Sequence, residues 1–499
     1  MARRWSRVNS AVLALTIAFA AVLTLWASLT PAFKAPDEAA HFSSVERMAT
    51  APAWPDPGEA RMSGAVKAAF AERTLPASER STLGELAAEN PGLSDSLDWM
   101  TQHPPGYYAV VGAVMNVLGI DNMRWDVALF VIRLISVLIV ASLPVFLFKT
   151  IRNLTGSPRA GVVAAAMPLL VPQLQQIGSS ASNDSVIILG GAVIVWLASR
   201  VLVGKRDWPT FVGMGLTLAI LAFTKGTGLP AVPFALLVVL FTTVNAPSLR
   251  LRIGQTAAVL GIACAGLWWW GLNLIRFHTL QPSATRGVRP DNPWPEGSGP
   301  DALHYLNAMW NGISQSFWGN FGGLDIPLPS ILPDVLTVGI LLLVIGYAFR
   351  GTDRRRGLLL ASYPIVVLAL LGYTTWQVYD RTQSVFGVQG RYFFGALVAL
   401  VALAALALLR YQREEKDRLR WARGLVTAAP AVSLVGVLIA YMGFYEAGLL
   451  HIGRNGLSTW ATTSPVGIVG IVVLTVAVAV AFVVATRLAR RVVGERLAV

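Results

Sequence analysis

Long apolar stretches recur along the whole sequence, and they restrict the chain to folds that keep such stretches away from water. Many of them approach the length of about 20 residues that crosses a bilayer as a helix. Of the 499 residues, 55% are hydrophobic and only 13% are charged. Inside a membrane only helices and closed barrels satisfy every backbone hydrogen bond, and stretches of this length indicate helices. We therefore predict an all-α polytopic membrane protein.

Twelve apolar stretches are candidate membrane spans. The first follows "MARRWSR", and we interpret it as a retained helix and not as a signal peptide, because it is long and no clear cleavage motif precedes Pro31. The predicted spans cover approximately residues 11–30, 127–148, 160–179, 185–203, 208–224, 228–244, 254–276, 331–349, 358–376, 390–409, 425–445 and 465–486.

A thirteenth apolar stretch, residues 106–120, is shorter, and counting it as a crossing would invert every later loop. With the N-terminus inside, twelve crossings give the cytoplasmic segments 25 Lys and Arg residues against 6 acidic residues. That is a net charge of +19, which leaves −6 for the rest of a chain whose total is +13. Basic residues collect on the cytoplasmic side of membrane proteins. We therefore predict that both termini are cytoplasmic and that residues 106–120 form a short helix in the outer interface.

Two long segments then face outward, residues 31–126 and 277–330. The first is polar and helix-compatible, so we expect short helices lying on the membrane module. The second contains the Pro- and Gly-rich run "QPSATRGVRPDNPWPEGSGP", which predicts a mobile loop that could cover a site. Together they place a transmembrane catalytic module at residues 1–410, followed by further helices and a cytoplasmic tail at 411–499. The only cysteine, Cys264, excludes an intrachain disulfide.

Polar residues cluster at the outer ends of several predicted spans. Asp37 and Glu38 end the first apolar run in "APDEAAHF", and His41 follows one helical turn later. An ionised side chain exposed at the bilayer centre costs about 2.5 to 3.5 kcal/mol on insertion scales, so such groups normally face a cavity. We expect one outward-facing cavity. The other candidates on this face are His103 in "QHPPGYY", Asn183 and Asp184 in "SSASNDS", Lys225 in "FTKGTG", Arg381 in "YDRTQS", and Arg391 and Tyr392 in "VQGRYFF".

The motifs "PDEAAHF", "HPPGYY", "SNDS" and "QGRYFF" resemble those of a bacterial membrane family of unknown function. That family is similar to the GT-C glycosyltransferases, which include protein O-mannosyltransferases, aminoarabinose transferases and oligosaccharyltransferases. The resemblance covers roughly residues 10–410 and implies a GT-C-like architecture. One departure is Gly106, where related motifs commonly continue the HPP sequence with a bulky apolar residue.

The resemblance implies a polyprenyl-phosphate-linked sugar donor and an acidic catalytic base in the first outer loop. Asp37 matches that base and Glu38 is its neighbour. The chemistry is reasonable independently of the resemblance. A carboxylate that takes the acceptor proton typically increases the reaction rate 10²- to 10⁴-fold, and a leaving phosphate needs cationic donors. The fork of Arg391 can hold two phosphate oxygens, and Lys225 and Arg381 are further cationic candidates. The remaining predicted substrate contacts are His41, His103, Asn183, Asp184 and Tyr392.

Each assignment has a structural alternative. The carboxylates of Asp37 and Glu38 are typical of a first helical turn, and Asn183 with Asp184 could cap the fourth span. His41 could orient Asp37, contact a phosphate or serve as an interfacial histidine. Arg391 could anchor its helix by snorkelling, and the HPP prolines could only stiffen a helix entry. Asp37 and His41 could also contribute to a divalent-metal site, but two ligands do not define one.

The leading hypothesis is a glycosyltransferase that moves a sugar from a polyprenyl-phosphate donor to an envelope glycan, lipid or protein, at the outer face of the cytoplasmic membrane. The alternatives are a transporter or flippase of lipid-linked sugars, in which the same charges line a path, and a non-catalytic partner in envelope assembly. Membrane lipids are expected partners. Nucleic acid is not, because the positive charge follows membrane orientation. The sequence shows no Gly-rich phosphate-binding loop, and a cytosolic nucleotide-sugar enzyme is therefore disfavoured.

The orientation can be tested by labelling. In a Cys264→Ala background, a thiol introduced by Asp37→Cys should react with a membrane-impermeant maleimide added to intact cells from outside. Labelling that needs an opened cytoplasmic face would place position 37 in the cytosol and contradict the predicted topology.

Overall fold

The computed structural model describes residues 2–286, 289–350, 353–412, 414–446 and 454–494. Small parts of the predicted outer loop and of the predicted cytoplasmic segments, at 287–288, 351–352, 413 and 495–499, lie outside the described residues. The α-helices are α1 (Ala2–Leu29), α2 (Glu38–Thr50), α3 (Gly64–Ala71), α4 (Leu83–Glu89), α5 (Gly106–Val117), α6 (Trp125–Val140), α7 (Leu143–Thr155), α8 (Pro158–Ala165), α9 (Pro172–Gly178), α10 (Asp184–Leu202), α11 (Trp208–Ala222), α12 (Ala231–Phe241), α13 (Leu249–Phe277), α14 (Ala302–Trp318), α15 (Ile331–Arg350), α16 (Arg354–Thr382), α17 (Leu397–Tyr411), α18 (Glu415–Tyr445), α19 (Arg454–Thr463) and α20 (Gly467–Gly494).

Two antiparallel strand pairs and several 3₁₀ turns complete the fold. The strands are β1 (Arg61–Ser63), β2 (Leu93–Leu97), β3 (Asn320–Phe321) and β4 (Ile326–Pro327), with β1 paired to β2 and β3 to β4. The 3₁₀ turns are Glu72–Thr74, Ala77–Glu79, Trp99–Gln102, Ile120–Asn122, Met167–Leu170, Gly226–Gly228 and Gly390–Ala396.

The protein is a multi-pass membrane protein built from helices, which confirms the predicted fold class. In the described part of the chain, nine helices are long and apolar enough to cross a bilayer. The pair Pro158–Leu170 and Pro172–Gly178, bent by 75°, makes up to ten. These ten coincide with ten of the twelve predicted spans. The other two coincide with shorter apolar helices, Trp208–Ala222 and Gly226–Phe241, so the count of twelve crossings stays a prediction.

The segment that precedes α6 folds against the helix bundle and carries the first predicted site residues. It contains α2 to α5 and the β1–β2 pair. Helix α4 begins with a capping box, in which Thr82 accepts from the Glu85 amide and Glu85 accepts from the Thr82 amide. Helix α5 packs against α2, and a Cβ at Gly112 would lie 2.7 Å from Met48 Cβ. The stretch predicted to be interfacial is thus a 12-residue helix, which is shorter than the roughly 20 residues that cross a bilayer of ordinary thickness.

The prediction of a mobile loop over 277–330 is wrong for residues 302–327. Helix α14 begins where Asp301 accepts from the Leu303 and His304 amides, and the β3–β4 hairpin follows it. The Asn320 amide donates to Gln173 Oε1 at 2.7 Å, which fastens the hairpin to α9. The Pro- and Gly-rich run before residue 301 dominated the sequence pattern, although the N-cap aspartate and the apolar spacing beyond it favour a helix.

The bundle core places α10 beside the segment that carries Arg391. Helix α10 packs against α6, α7, α11, α12, α17 and the 3₁₀ turn Gly390–Ala396. The approach is close, because a Cβ at Gly191 would collide with the Gly395 carbonyl. The C-terminal helices belong to the same bundle, since α20 packs along α1. The absence of a side chain at residue 191 therefore allows the N-terminal half of α10 to meet the Arg391 turn.

We expect Gly191→Ala to destabilise the protein by about 1 to 3 kcal/mol, because the added methyl must push two backbones apart. The matched control is Gly261→Ala on α13, where an added Cβ meets nothing within 4 Å among the described residues. Thermal unfolding in detergent should show a lower melting temperature for Gly191→Ala alone. Equal melting temperatures for both variants would contradict the close packing.

Candidate active site

Asp37 lies in the short connection between α1 and α2 and has a strained backbone. Its φ of 60° and ψ of 10° are in the left-handed region, which non-glycine residues occupy uncommonly. It holds the N-cap position of α2, yet within the described chain its side chain makes no capping hydrogen bond. Instead Asp37 Oδ2 accepts from Arg391 Nη2 at 2.6 Å. The structure therefore favours an interaction with Arg391 over the capping alternative.

Arg391 joins Asp37 to a second carboxylate. Arg391 Nη1 lies 3.5 Å from Asp184 Oδ2, and Lys225 Nζ donates to Asp184 Oδ1 at 2.6 Å. The side chains of Arg391, Asp184 and Lys225 are at most 7% exposed, whereas that of Asp37 is 33% exposed. We call Asp37, Arg391, Asp184 and Lys225 the ion cluster. It carries two positive and two negative charges, and Asp37 is its accessible member.

Each member of the ion cluster comes from a break between helices. Asp184 follows the bend after α9, and Lys225 precedes the 3₁₀ turn Gly226–Gly228. Arg391 lies in the 3₁₀ turn Gly390–Ala396, whose first amide donates to Ser316 Oγ of α14 at 2.7 Å. A Cβ at Gly390 would collide with the Phe317 amide nitrogen, so α14 lies directly against this turn. Non-helical backbone at such points is tolerated where protein surrounds it.

The electrostatics of the ion cluster keep Asp37 ionised. Burial by itself would raise the pKa of Asp37, but the Arg391 guanidinium and the Lys225 ammonium hold that pKa below its usual value. His41 behaves in the opposite way, since burial and the nearby Lys225 lower its pKa to about 3. At neutral pH the histidine is therefore uncharged and contributes hydrogen bonds and no charge.

His41 connects three of the sequence motifs through a buried neutral network. Asn183 Nδ2 donates to the Tyr108 hydroxyl at 3.2 Å, and that hydroxyl lies 2.9 Å from His41 Nδ1. His41 Nε2 lies 3.3 Å from Ser182 Oγ, which also accepts from the Asp184 amide. Donation from the Tyr108 hydroxyl to Nδ1 would require the His41 proton on Nε2. Tyr108 was not among the predicted site residues, although it belongs to the quoted "HPPGYY" motif.

His103 and Tyr392 complete the surroundings of the ion cluster. The His103 carbonyl accepts from Trp54 Nε1 at 3.0 Å, and the Trp54 ring stacks on Tyr108 with centroids 5.0 Å apart. The Tyr392 ring centroid lies 5.6 Å from Arg391 Cζ and 5.8 Å from Lys225 Nζ, within reach of cation–π attraction. Tyr392 therefore lies beside the two cations of the ion cluster.

The close approach of Phe223 explains why residue 106 is a glycine. A Cβ at this position would lie 2.5 Å from the Phe223 carbonyl oxygen and 2.6 Å from Phe223 Cδ1. Phe223 lies two residues before Lys225, so the small residue lets α5 approach the Lys225 turn. The absence of a side chain at residue 106 thus allows the histidine–proline motif to lie against the turn that carries Lys225.

Glu38 is separated from the ion cluster by its own partner. Its two carboxylate oxygens accept from Arg133 Nε at 2.8 Å and from Arg133 Nη2 at 2.6 Å, and Glu38 Oε1 also accepts from the Ala181 amide at 3.1 Å. Both side chains are at most 5% exposed. Sequence reasoning missed Arg133, although an arginine inside the apolar span "WDVALFVIRLISVLIV" is a functional signal by itself.

Arg381 lies apart from the other predicted residues. It ends α16, where Arg381 Nε lies 3.2 Å from Asp291 Oδ1, and that pair is 29% and 47% exposed. The structure thus brings eight of the ten predicted residues around the ion cluster, pairs Glu38 with Arg133 instead, and leaves Arg381 in a surface ion pair.

Several polar atoms around the ion cluster are free to bind a ligand. Around the ion cluster, the buried side-chain atoms without a hydrogen-bond partner among the described residues are Arg391 Nε and Nη1, Asp184 Oδ2, His103 Nδ1 and Asn183 Oδ1. Of these, Arg391 Nη1 and Asp184 Oδ2 face each other in the 3.5 Å ion pair. Buried polar atoms in proteins are normally paired, so such a concentration indicates a binding site. The two arginine donors suit an anion. Over the same residues, no group of three or more His, Cys, Asp and Glu side chains could hold a metal ion.

Comparison with known proteins identifies the family. The model of the predicted membrane protein family DUF2142 matches residues 20–401. The chain belongs to this family. The match confirms the resemblance to a membrane family of unknown function, and its residues include every member of the ion cluster. None of the curated proteins compared with the chain matches it.

Solved structures of two proteins are also similar to the chain. ArnT from Cupriavidus metallidurans, solved in the apo state and bound to undecaprenyl phosphate, is 15% identical with a TM-score of 0.48, over 95% of this DUF2142 chain and 75% of that chain. The oligosaccharyltransferase from Archaeoglobus fulgidus is 11% identical with a TM-score of 0.42, over 96% of this chain and 56% of that chain. Because the scores lie below 0.5, the site geometry carries the functional argument.

Removing one carboxylate from the buried ion cluster should destabilise the protein far more than removing a similar carboxylate at the surface. Asp184 bridges Lys225 and Arg391, whereas Asp291 bridges Arg286 and Arg381 in exposed pairs. We expect Asp184→Asn to cost about 3 to 5 kcal/mol of stability and Asp291→Asn about 0 to 1 kcal/mol. Unfolding in detergent measures both. Similar losses in the two variants would contradict the buried bridging role of Asp184.

Proposed function

We propose that the protein is a membrane glycosyltransferase that moves a sugar from a polyprenyl-phosphate donor to a hydroxyl of a cell-envelope glycan, lipid or protein. The observation that carries the proposal is the 2.6 Å contact between Asp37, whose carboxylate is partly exposed, and Arg391, which is buried and has unpaired donors. One contact thus joins a candidate proton acceptor to a candidate phosphate ligand.

Asp37 is the proposed catalytic base. Its carboxylate takes the proton of the acceptor hydroxyl while the acceptor oxygen forms a bond to the anomeric carbon of the sugar. The bond between that carbon and the donor phosphate oxygen breaks, and its electron pair leaves with the lipid phosphate. General base catalysis of this kind contributes typically 10²- to 10⁴-fold. Direct displacement inverts the configuration at the anomeric carbon.

Arg391 and Lys225 are the proposed partners of the departing phosphate. Donors placed where negative charge develops act strongly in a site from which water is excluded, and they need no reorganisation during the reaction. Arg391 Nε has no hydrogen-bond partner among the described residues, and Arg391 Nη1 has only the 3.5 Å ion pair with Asp184, which Lys225 holds in place. A phosphate that binds Arg391 competes with Asp37 for the guanidinium. Donor binding therefore raises the pKa of Asp37 and makes its carboxylate a stronger base.

His41, His103, Asn183, Asp184 and Tyr392 are the proposed surroundings of the bound sugar phosphate. Asp184 and Tyr392 contact Arg391, His41 and Asn183 share the Tyr108 hydroxyl, and His103 is linked to Tyr108 through Trp54. Arg381 is left out of the proposed site because Asp291 holds it elsewhere. The proposed catalytic module remains residues 1–410, with its site toward the outside of the cytoplasmic membrane as the charge distribution predicts.

Two substitutions test the base and the phosphate ligand. With a labelled polyprenyl-phosphate hexose and a panel of envelope acceptors, purified Asp37→Asn should lose about 10²- to 10⁴-fold in kcat, because an amide cannot accept the proton. Arg391→Lys should lose about 10²-fold in kcat/KM, because lysine lacks the planar fork.

The matched controls are Asp95→Asn and Arg286→Lys, which make the same kinds of substitution in exposed ion pairs. Both should retain the activity of the unaltered protein. Normal turnover by Asp37→Asn would reject the base assignment. Counterflow of the lipid-linked sugar in vesicles without transfer to any acceptor would support a transporter instead.

A further inference from the structure

We propose that Glu38 and Arg133 are positioning residues, which hold the Asp37 carboxylate against Arg391 without touching the substrate. The inference rests on the proposed function and deepens it. It changes the role that the sequence pattern predicts for Glu38, and it assigns a role to a residue that the pattern did not select.

Arg133 fixes the direction in which the chain leaves α1. Its Nη1 donates to the Ala27 carbonyl at 2.8 Å and to the Thr30 carbonyl at 2.6 Å, and its Nη2 donates to the Pro31 carbonyl at 2.9 Å. Helix α1 ends at Leu29, and the last carbonyls of a helix have no partner within it. A side chain from the middle of α6 thus satisfies one carbonyl in the last turn of α1 and two in the connection that follows it.

The same guanidinium fixes the beginning of α2. Its Nε and Nη2 hold both oxygens of Glu38, the first residue of α2, in a two-pronged contact. Asp37 is therefore enclosed between two points that one side chain anchors. This explains why a non-glycine residue keeps a φ of 60° there, since the surroundings determine its backbone on both sides.

Glu38 also connects Asp37 to the other carboxylate of the ion cluster. Its Oε1 accepts from the Ala181 amide, three residues before Asp184. The turns that carry Asp37 and Asp184 are thereby tied to one carboxylate, and both contact Arg391. With three donors on its two buried oxygens, Glu38 is a holding group and not a proton acceptor.

The test uses Glu38→Gln, in which the side-chain amide nitrogen must face a guanidinium donor and the two-pronged contact is lost. We expect kcat to fall about 10- to 100-fold, because a displacement of about 1 Å can cost 10²-fold. The KM for a labelled polyprenyl-phosphate hexose should change little, since Arg391 and Lys225 remain. The midpoint of the acid limb of kcat should move to higher pH.

The sign of that shift follows from the charges around Asp37, which are Arg391, Lys225 and Asp184, with His41 neutral. Arg391 holds the Asp37 pKa below its usual value, so moving the carboxylate away from Arg391 raises the pKa. The expected rise is about 1 unit or more, as for the loss of a close opposite charge.

A matched control separates positioning from general stability. Glu72 is another carboxylate with three donors, the Ser81 amide, the Ser81 hydroxyl and Trp125 Nε1, in the same outer segment. Glu72→Gln should reduce stability and leave the acid limb unchanged. If both variants lose activity only in proportion to folded protein, with the same pH profile as the unaltered chain, the positioning role is overturned.

A failure to turn over any pair of donor and acceptor would count against the proposed function alone. In that case a direct titration of Asp37 still tests the positioning role. Carbodiimide modification of Asp37, followed by peptide mass spectrometry across pH, should show a higher midpoint in Glu38→Gln than in the unaltered protein. Arg133→Lys, which keeps the charge and loses the fork, should show the same rise if Glu38→Gln does not fold. An unchanged midpoint in the folded variant would overturn the proposal.

Discussion

The contact between Asp37 and Arg391 is the interaction on which the rest of the site depends. An arginine with a 2% exposed side chain needs a compensating negative charge, because desolvating an ion in a low-dielectric interior is expensive. Asp37 and Asp184 supply that charge from two different inter-helix turns, and Lys225 balances the second carboxylate. Four separate breaks in the helical bundle must therefore meet at one depth for any of these charges to be tolerated.

The two buried arginines differ in how completely they are hydrogen bonded, and the difference supports the positioning role proposed for Arg133 and the phosphate-binding role proposed for Arg391. Arg133 donates to three backbone carbonyls and to both oxygens of Glu38. Arg391 has one short contact with Asp37, while its Nε and Nη1 have no hydrogen-bond partner among the described residues. A saturated guanidinium stabilises the chain path, and an unsaturated one can still bind an anion.

The helical membrane architecture and most residues of the candidate site could be predicted from the sequence, because hydropathy and short motifs are local signals. The roles within the site could not. Asp37 and Glu38 are adjacent and chemically alike, yet one contacts Arg391 and the other Arg133. Arg381 follows one predicted span and Arg391 begins the next, yet only Arg391 reaches the ion cluster. Helix α14 was missed since the run before Asp301 is rich in Pro and Gly.

The sequence by itself determined that the chain is an all-α membrane protein and that its polar motifs lie between apolar spans, because backbone hydrogen bonding and the cost of burying charge depend on local composition. The tertiary structure decided which motif residues meet. Partner choice depends on distances between segments up to 354 residues apart, as for Asp37 and Arg391. Those distances are fixed by close backbone approaches such as that of Gly191 to Gly395, which arise only when the helices pack.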